Sequence, residues 1–190
     1  MILLARHGNS VDNGPPRRFS GHRDTPLSEL GREQARALAD TVADEGLEAI
    51  WTSPLIRARE TADIVGERLG LVPRIDDRLS ESYRGRWEGR WVEDLERDEP
   101  EGWAAWRHGG ADYRFPGGES LAEHQKRALA ALDTVRAGPL PALVVCHGGT
   151  IRVILAAKNP RGLDAFHEPP DIPNARVIRL DDDGRWTIAA

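Results

Sequence analysis

Two short apolar runs, residues 2–5 (Ile-Leu-Leu-Ala) and 142–146 (Ala-Leu-Val-Val-Cys), sit near opposite ends of the 190-residue chain, and each leads to a histidine followed by glycine. Runs this short and this apolar read as strands buried on both faces, the habit of parallel sheets. Between them the period changes to that of helices. Ser28 stands as an N-cap before Leu30, Gln34, Ala35, Leu38, Ala39 and Val42. Residues 47–52 read as a further strand. Ser53-Pro54 then supplies the N-cap and first position of a helix carrying Leu55, Ala58, Ala62, Val65 and Leu69. Residues 119–135 and 150–157 read as two more helices, and 176–180 and 185–188 flank Asp-Asp-Asp-Gly as a closing hairpin. Strands alternating with helices give an α/β fold around a mostly parallel sheet. Ligands of such sheets bind beyond the carboxyl ends of the strands, so His7 and His147 are predicted on one rim.

The length predicts one domain, residues 1–190, with an insertion at about 80–118 where Trp87, Trp91, Trp103 and Trp106 break the strand–helix rhythm. Apolar residues make up 39% and charged residues 30%, a globular rather than a disordered composition. The formal charge of -5 argues against a nucleic-acid binder. Among the 26 basic residues only Lys126 and Lys158 are lysine. The arginine bias has a compositional origin or reflects anion recognition, since guanidinium forks match phosphate oxygens. Cys146 is the one cysteine, which excludes an internal disulfide and a Cys-based zinc site. The first apolar run is too short for a signal peptide or a membrane span, so a cytoplasmic location is expected.

Four stretches carry chemistry, and each also has an ordinary structural reading. In Arg6-His7-Gly8, a neutral imidazole is a competent nucleophile near pH 7. The neighbouring guanidinium supplies the charge that phosphoryl transfer needs, and Gly8 lets the backbone pass close to an anion. The plain alternative is a buried strand-end histidine. Residues 53–58 (Ser-Pro-Leu-Ile-Arg-Ala) open a helix, where free N–H groups attract anions and Arg57 lies in the first turn; the alternative is simple capping. His147-Gly148-Gly149 puts a second imidazole at the rim, able to donate to a phosphate oxygen, or is only a turn that needs glycine. Glu81, read as a strand end entering the insertion, could protonate a leaving oxygen and then deprotonate water if its pKa were raised. Glu88 is its rival, and solvated surface positions are the alternative for both.

The order of these pieces is more specific than any one of them. Arg-His-Gly at 6–8, Gly-x-x-Asp-x-Pro-Leu at 21–27, Ser-Pro-x-x-Arg-Ala at 53–58, Leu-x-Glu at 79–81, Trp-Glu-Gly at 87–89, Pro-Gly-Gly-Glu-Ser at 116–120 and His-Gly-Gly at 147–149 follow in sequence. The series resembles the histidine phosphatase superfamily, the phosphoglycerate-mutase-like proteins, from Ile2 to about Val177. The resemblance implies a three-layer α/β sandwich with helices on both faces of the sheet. It implies His7 as a nucleophile that becomes phosphohistidine and Glu81 as the proton donor. Arg6, Asn13, Arg57 and His147 are implied as phosphate contacts, with Ser20, Gly21 and Gly148 on the substrate side. In the implied reaction His7 attacks phosphorus while Glu81 protonates the leaving alkoxide, and water activated by Glu81 then releases phosphate. No metal and no cofactor are implied, and the sequence has no His-x-His or His-Glu-x-x-His.

Three features favour a phosphatase over a mutase. Ser82 stands where mutases resemble one another in carrying arginine. Gly-Gly follows His147 where mutases tend to Gly-Asn. The tail after the hairpin, Ala189-Ala190, is too short for a water-excluding lid. Arg84 or Arg86 could replace the missing arginine, which keeps the mutase as the alternative; an inactive phospho-ligand-binding module is the third reading. The motifs are most similar to the branch containing α-ribazole phosphatases and broad small-metabolite phosphatases. That branch usually has an aromatic directly before the glycine of Tyr83-Arg84-Gly85, so the departure turns Arg84 toward the substrate and favours a second anionic group. Trp87/Trp91 and Trp103/Trp106 fall at helical spacing and are expected to pack the insertion onto the main layer, stacking on a substrate ring being the other use. The partner is a small phosphorylated metabolite, with neither nucleic acid nor membrane; a homodimer is compatible with the sequence.

Overall fold

The computed structural model describes residues 1–168, 171–181 and 186–188. At its centre is a six-stranded sheet in the order β3-β2-β4-β1-β5-β6. β1 (Ile2–Arg6) runs parallel to β4 (Ala142–Cys146), with Ile2 opposite Ala142 and Arg6 opposite Cys146. β2 (Ala49–Thr52) pairs parallel with β4 on one side and with β3 (Arg74–Ile75) on the other. β5 (Val177–Leu180) is antiparallel to β1, and β6 (Trp186–Ile188) antiparallel to β5. The mostly parallel sheet and the closing strand pair match the sequence reading. The turn at 182–185 and the tail at 189–190 lie outside the described residues.

The apolar runs are unbroken because both faces of the sheet are covered. Leu3, Ala5, Leu143 and Val145 pack with Leu38 and Ala39 of α1 (Glu29–Thr41) and with Ala58, Ala62 and Val65 of α2 (Ile56–Leu69). Ile2, Leu4, Val144 and Cys146 face the other way, onto Ala128, Leu132 and Val135 of α5 (Leu121–Arg136) and Ile151 and Leu155 of α6 (Gly148–Ala156). Ser28 caps α1 by accepting the Gly31 N–H at 3.1 Å, and Ser120 and Glu123 form a reciprocal capping box on α5. Among the described residues no helix is long and apolar enough to cross a membrane.

The insertion contains α3 (Val92–Asp98) and α4 (Pro100–His108). Phe19, from the loop after β1, is the hub of its aromatic core, with ring centroids 5.7 Å from Trp87, 5.0 Å from Trp106 and 6.0 Å from Phe115. Trp103 and Trp106 share α4 as the spacing predicts. Trp87 and Trp91 do not share a helix: Trp87 sits in a 3₁₀ turn, fully buried, and Trp91 caps α3 under the Arg18 guanidinium at 3.5 Å. The glycines at 85 and 89, both with positive φ, break any continuous helix there.

Two helix starts also differ from the sequence reading. α2 begins at Ile56 with Leu55 in the cap position; the Ser53 hydroxyl stands ahead of the cap, accepting the Leu55 N–H at 3.3 Å and bonding His147. α6 begins at Gly148, two residues ahead of the predicted Thr150, so both glycines lie in its first turn.

Candidate active site

The common register of β1 and β4 delivers two imidazoles to one point. The His7 N–H donates to the Cys146 carbonyl at 3.0 Å, carrying the ladder one residue past the strand, and the His7 and His147 ring centroids are 5.1 Å apart. His7 Nδ1–H donates to the Gly8 carbonyl at 2.7 Å. That bond fixes the tautomer and leaves Nε2 as a lone pair, which accepts from Arg57 Nε at 3.2 Å. Burial, followed by the nearby Arg57 and Arg6 charges, holds the His7 pKa well below its ordinary value, so the ring is neutral. His147 is fully buried behind it. Its Nε2 takes the Ser53 hydroxyl at 2.7 Å, while its Nδ1 has no partner among the described residues.

Two guanidiniums flank the imidazoles. Arg57, in the first turn of α2, is 2% exposed, and burial lowers its pKa to about 10. It donates to the Gly21 carbonyl at 2.8 Å and the Arg23 carbonyl at 2.9 Å, tying the loop after β1 to His7. Arg6 donates to the Ile172 carbonyl at 2.6 Å, and its Nε has no partner among the described residues. Among the described residues neither guanidinium has a carboxylate within ion-pair distance. A buried cation without a counterion is costly, and an anionic ligand relieves that cost.

All the sequence-predicted site residues except His147 line one cavity of about 290 Å³: Arg6, His7, Asn13, Ser20, Gly21, Arg57, Glu81, Arg84 and Gly148. Glu88 and Arg86 are not among its walls. Glu88 instead accepts the backbone N–H groups of His22 at 2.7 Å and Arg84 at 3.0 Å, stitching the loop to the insertion. Asn13 uses its Oδ1 to accept from the Ser10 N–H at 3.0 Å and from Asn174 at 3.3 Å.

Two expectations are corrected. Glu81 is not at a strand end; it follows a 3₁₀ turn at Asp77–Leu79. Its pKa is not raised. Burial pushes it upward, but Arg84, His124 and the Ser82 and Gly149 N–H groups outweigh that and hold it at about 2. Gly8 is also required by packing, since a Cβ there would stand 2.3 Å from the Gly31 carbonyl oxygen of α1. Gly149 is the glycine that permits a close approach at the site: a Cβ would meet Glu81 Oε1 at 2.3 Å.

Sequence reasoning missed part of the wall. Arg17, Arg107 and Arg152 also line the cavity, as do Trp106 and His167. Arg152 follows Gly148 by one helical turn, a spacing that could have flagged it. Asn174, which donates to the His7 carbonyl at 2.9 Å, and Thr61, which accepts the Gly8 N–H at 3.0 Å, carry no local signal.

The profile of the histidine phosphatase superfamily (branch 1) matches residues 2–190. The chain is 37% identical over 166 residues to the glucosyl-3-phosphoglycerate phosphatase of Mycobacterium tuberculosis, covering 82% of this chain and 74% of that one. It is 37% identical over 158 residues to the Yersinia enterocolitica protein named "Probable phosphoglycerate mutase GpmB", covering 82% and 73%. A solved structure of mycobacterial glucosyl-3-phosphoglycerate phosphatase with VO3 superposes with a TM-score of 0.85 at 32% identity, over 100% of this chain and 97% of that one. The chain belongs to the histidine phosphatase superfamily.

Proposed function

We propose that the protein hydrolyses a small phosphorylated metabolite by transferring the phosphoryl group to His7 Nε2 and then to water. The observation that carries this reading is a neutral imidazole with a fixed lone pair between the buried Arg57 and the half-buried Arg6, neither ion-paired to a carboxylate among the described residues. An incoming dianion displaces Arg57 Nε from His7 and takes its charge instead. Arg6 and the free His147 Nδ1 complete the cradle, and positioned charge of this kind stabilises the transition state.

Glu81 is a carboxylate in the cavity wall. Held at about 2, it enters the cycle ionised. A phosphoryl dianion beside it raises its proton affinity by like-charge repulsion and shares the Arg84 charge, so Glu81 takes up one proton from solvent as the substrate binds. Protonated Glu81 gives that proton to the leaving oxygen, and the carboxylate then takes one from the water that attacks phosphohistidine.

Arg84 in the wall, with Arg107 and Arg152, supports a substrate bearing a second anionic group, in keeping with the phosphoglycerate named for two relatives. The same Arg84 favours the mutase as a second reading; isomer exchange of phosphoglycerate would establish it. We infer that the chain acts as one domain with the insertion at about 80–118 closing the substrate side. A cytoplasmic setting accompanies this reading, as does the lack of nucleic-acid partners, which the formal charge of -5 supports.

The test is release of nitrophenol from p-nitrophenyl phosphate in the presence of a chelator. Turnover by the native protein and none by His7→Ala is expected. Equal turnover by both would sink the role of His7, and no turnover by either would leave the binding-module reading.

A further inference from the structure

His124 lies on the buried face of α5, outside the cavity, beside Leu121 and Ala128. An imidazole in such a place is tolerated only when both nitrogens are bonded, and both are. Nδ1 is 2.8 Å from the Ser82 hydroxyl and Nε2 is 3.1 Å from the Thr150 hydroxyl. The Thr150 hydroxyl gives its own hydrogen to the Ser80 carbonyl at 3.0 Å. Its oxygen therefore accepts, so His124 Nε2 carries the proton and Nδ1 accepts from Ser82. The bonds run in one direction, Ser82 to His124 to Thr150 to Ser80, and bracket Glu81 on both sides.

The Glu81 carboxylate rests on two backbone amides. Ser82 N–H donates to Oε1 at 2.9 Å and Gly149 N–H donates to Oε2 at 3.1 Å. Ser82 is one end of the His124 chain, and Gly149 is joined directly to Thr150. One imidazole thus holds α5, α6 and the 80–82 segment together at the two points where the carboxylate is held.

Resting on the reading of Glu81 given above, we propose that His124 is a positioning residue, which through Ser82 and Thr150 fixes the two amides that cradle the Glu81 carboxylate. Burial keeps the imidazole neutral, with its pKa lowered to about 4, so the chain stays directed across the working pH range. The other groups facing Glu81 are Arg84 on its own segment, His22 in the loop after β1, Arg6 and His7 on β1, Arg57 on α2, Arg127 on α5 and Arg152 on α6. None is altered by replacing His124.

The test is His124→Leu in the full chain, with its fold checked by thermal melting, read by carboxyl ¹³C NMR of glutamate-labelled protein and by steady-state kinetics. The Glu81 titration midpoint is expected to rise by about one unit, part of it from loss of the His124 charge below about pH 4 and part from loosened amides; Ser82→Ala keeps that charge and isolates the amide part. With an alkyl phosphate, kcat is expected to fall by about 10- to 100-fold while KM stays within about twofold. Ser82→Ala, which deletes one hydroxyl, is expected to show the same pattern in smaller size and serves if His124→Leu fails to fold. An unchanged Glu81 midpoint in folded Ser82→Ala overturns the proposal, whatever the activity. Absence of phosphatase activity in the native protein overturns the functional reading alone, and the titration still decides the role of His124.

Discussion

The two halves of the cavity are built in different ways. The sheet half, with His7 and Arg57 in the wall and His147 behind them, hangs on backbone: two strands in equal register, one ladder bond past their ends, and the first turn of α2. The insertion half, with Glu81, Arg84 and Trp106, hangs on side chains: Arg84 stacks 4.0 Å over Phe19, Glu88 stitches loop to insertion, and Arg127 grips the carbonyls of Arg78, Ser80 and Glu81 at 2.7–2.8 Å. Register admits no gradual change, whereas side-chain packing does. The rim is therefore suited to the invariant part of the chemistry, gripping phosphoryl oxygens, and the insertion to choosing what the phosphoryl group is attached to.

Substitutions can break that division. The largest effect is expected for His7→Ala, which should lower kcat by about 10⁴-fold or more on every substrate, since it removes the attacking atom. Arg57→Ala is expected next, at about 3 kcal/mol of transition-state stabilisation, with Arg57→Lys failing to restore it because an ammonium lacks the fork. Initial rates on several esters check both; a loss confined to one ester would contradict the division. Arg84→Ala is expected to be smaller and substrate-dependent, about tenfold in KM where the substrate has a second anionic group and little on p-nitrophenyl phosphate. An equal loss on both would move Arg84 to the phosphoryl side.

The gentlest probe is acid. His7 and His147 are held well below 6.5, and His124 at about 4, chiefly by burial. Below pH 6.5 the unfolded chain binds protons at these positions and the folded chain does not, so stability falls as pH falls. Each group contributes a slope of up to about 1.4 kcal/mol per pH unit. Glu81, depressed from 4.5 to about 2, adds its own loss only below about pH 4.5. Urea midpoints between pH 8 and 5 measure the slope, and His147→Asn should flatten it. A flat profile in the native protein would mean that the buried imidazoles bind protons in the folded state.

What was legible in the sequence follows the same division. The meeting of His7 and His147 was readable because parallel strands in an α/β sheet end on one edge, and Arg57 because a helix start follows directly on β2. Glu81 was readable as a residue but not as an environment, since Arg84, His124 and the Gly149 amide reach it from three places in the chain. The choice between Glu81 and Glu88 depended on which faced the cavity, a matter of side-chain direction. Asn174 and Arg107 were illegible because no local pattern announces a wall residue contributed from a distant segment. The Trp87/Trp91 spacing misled because the positive-φ glycines beside them outweigh the period.

The most direct test is to mix the protein with a ³²P-labelled phosphomonoester, quench within milliseconds in base, and map the label. One acid-labile, base-stable phosphate on His7 Nε2, formed before product release and missing from His7→Ala, is the predicted result. Label on another residue, or turnover with no labelled protein at any quench time, would contradict it.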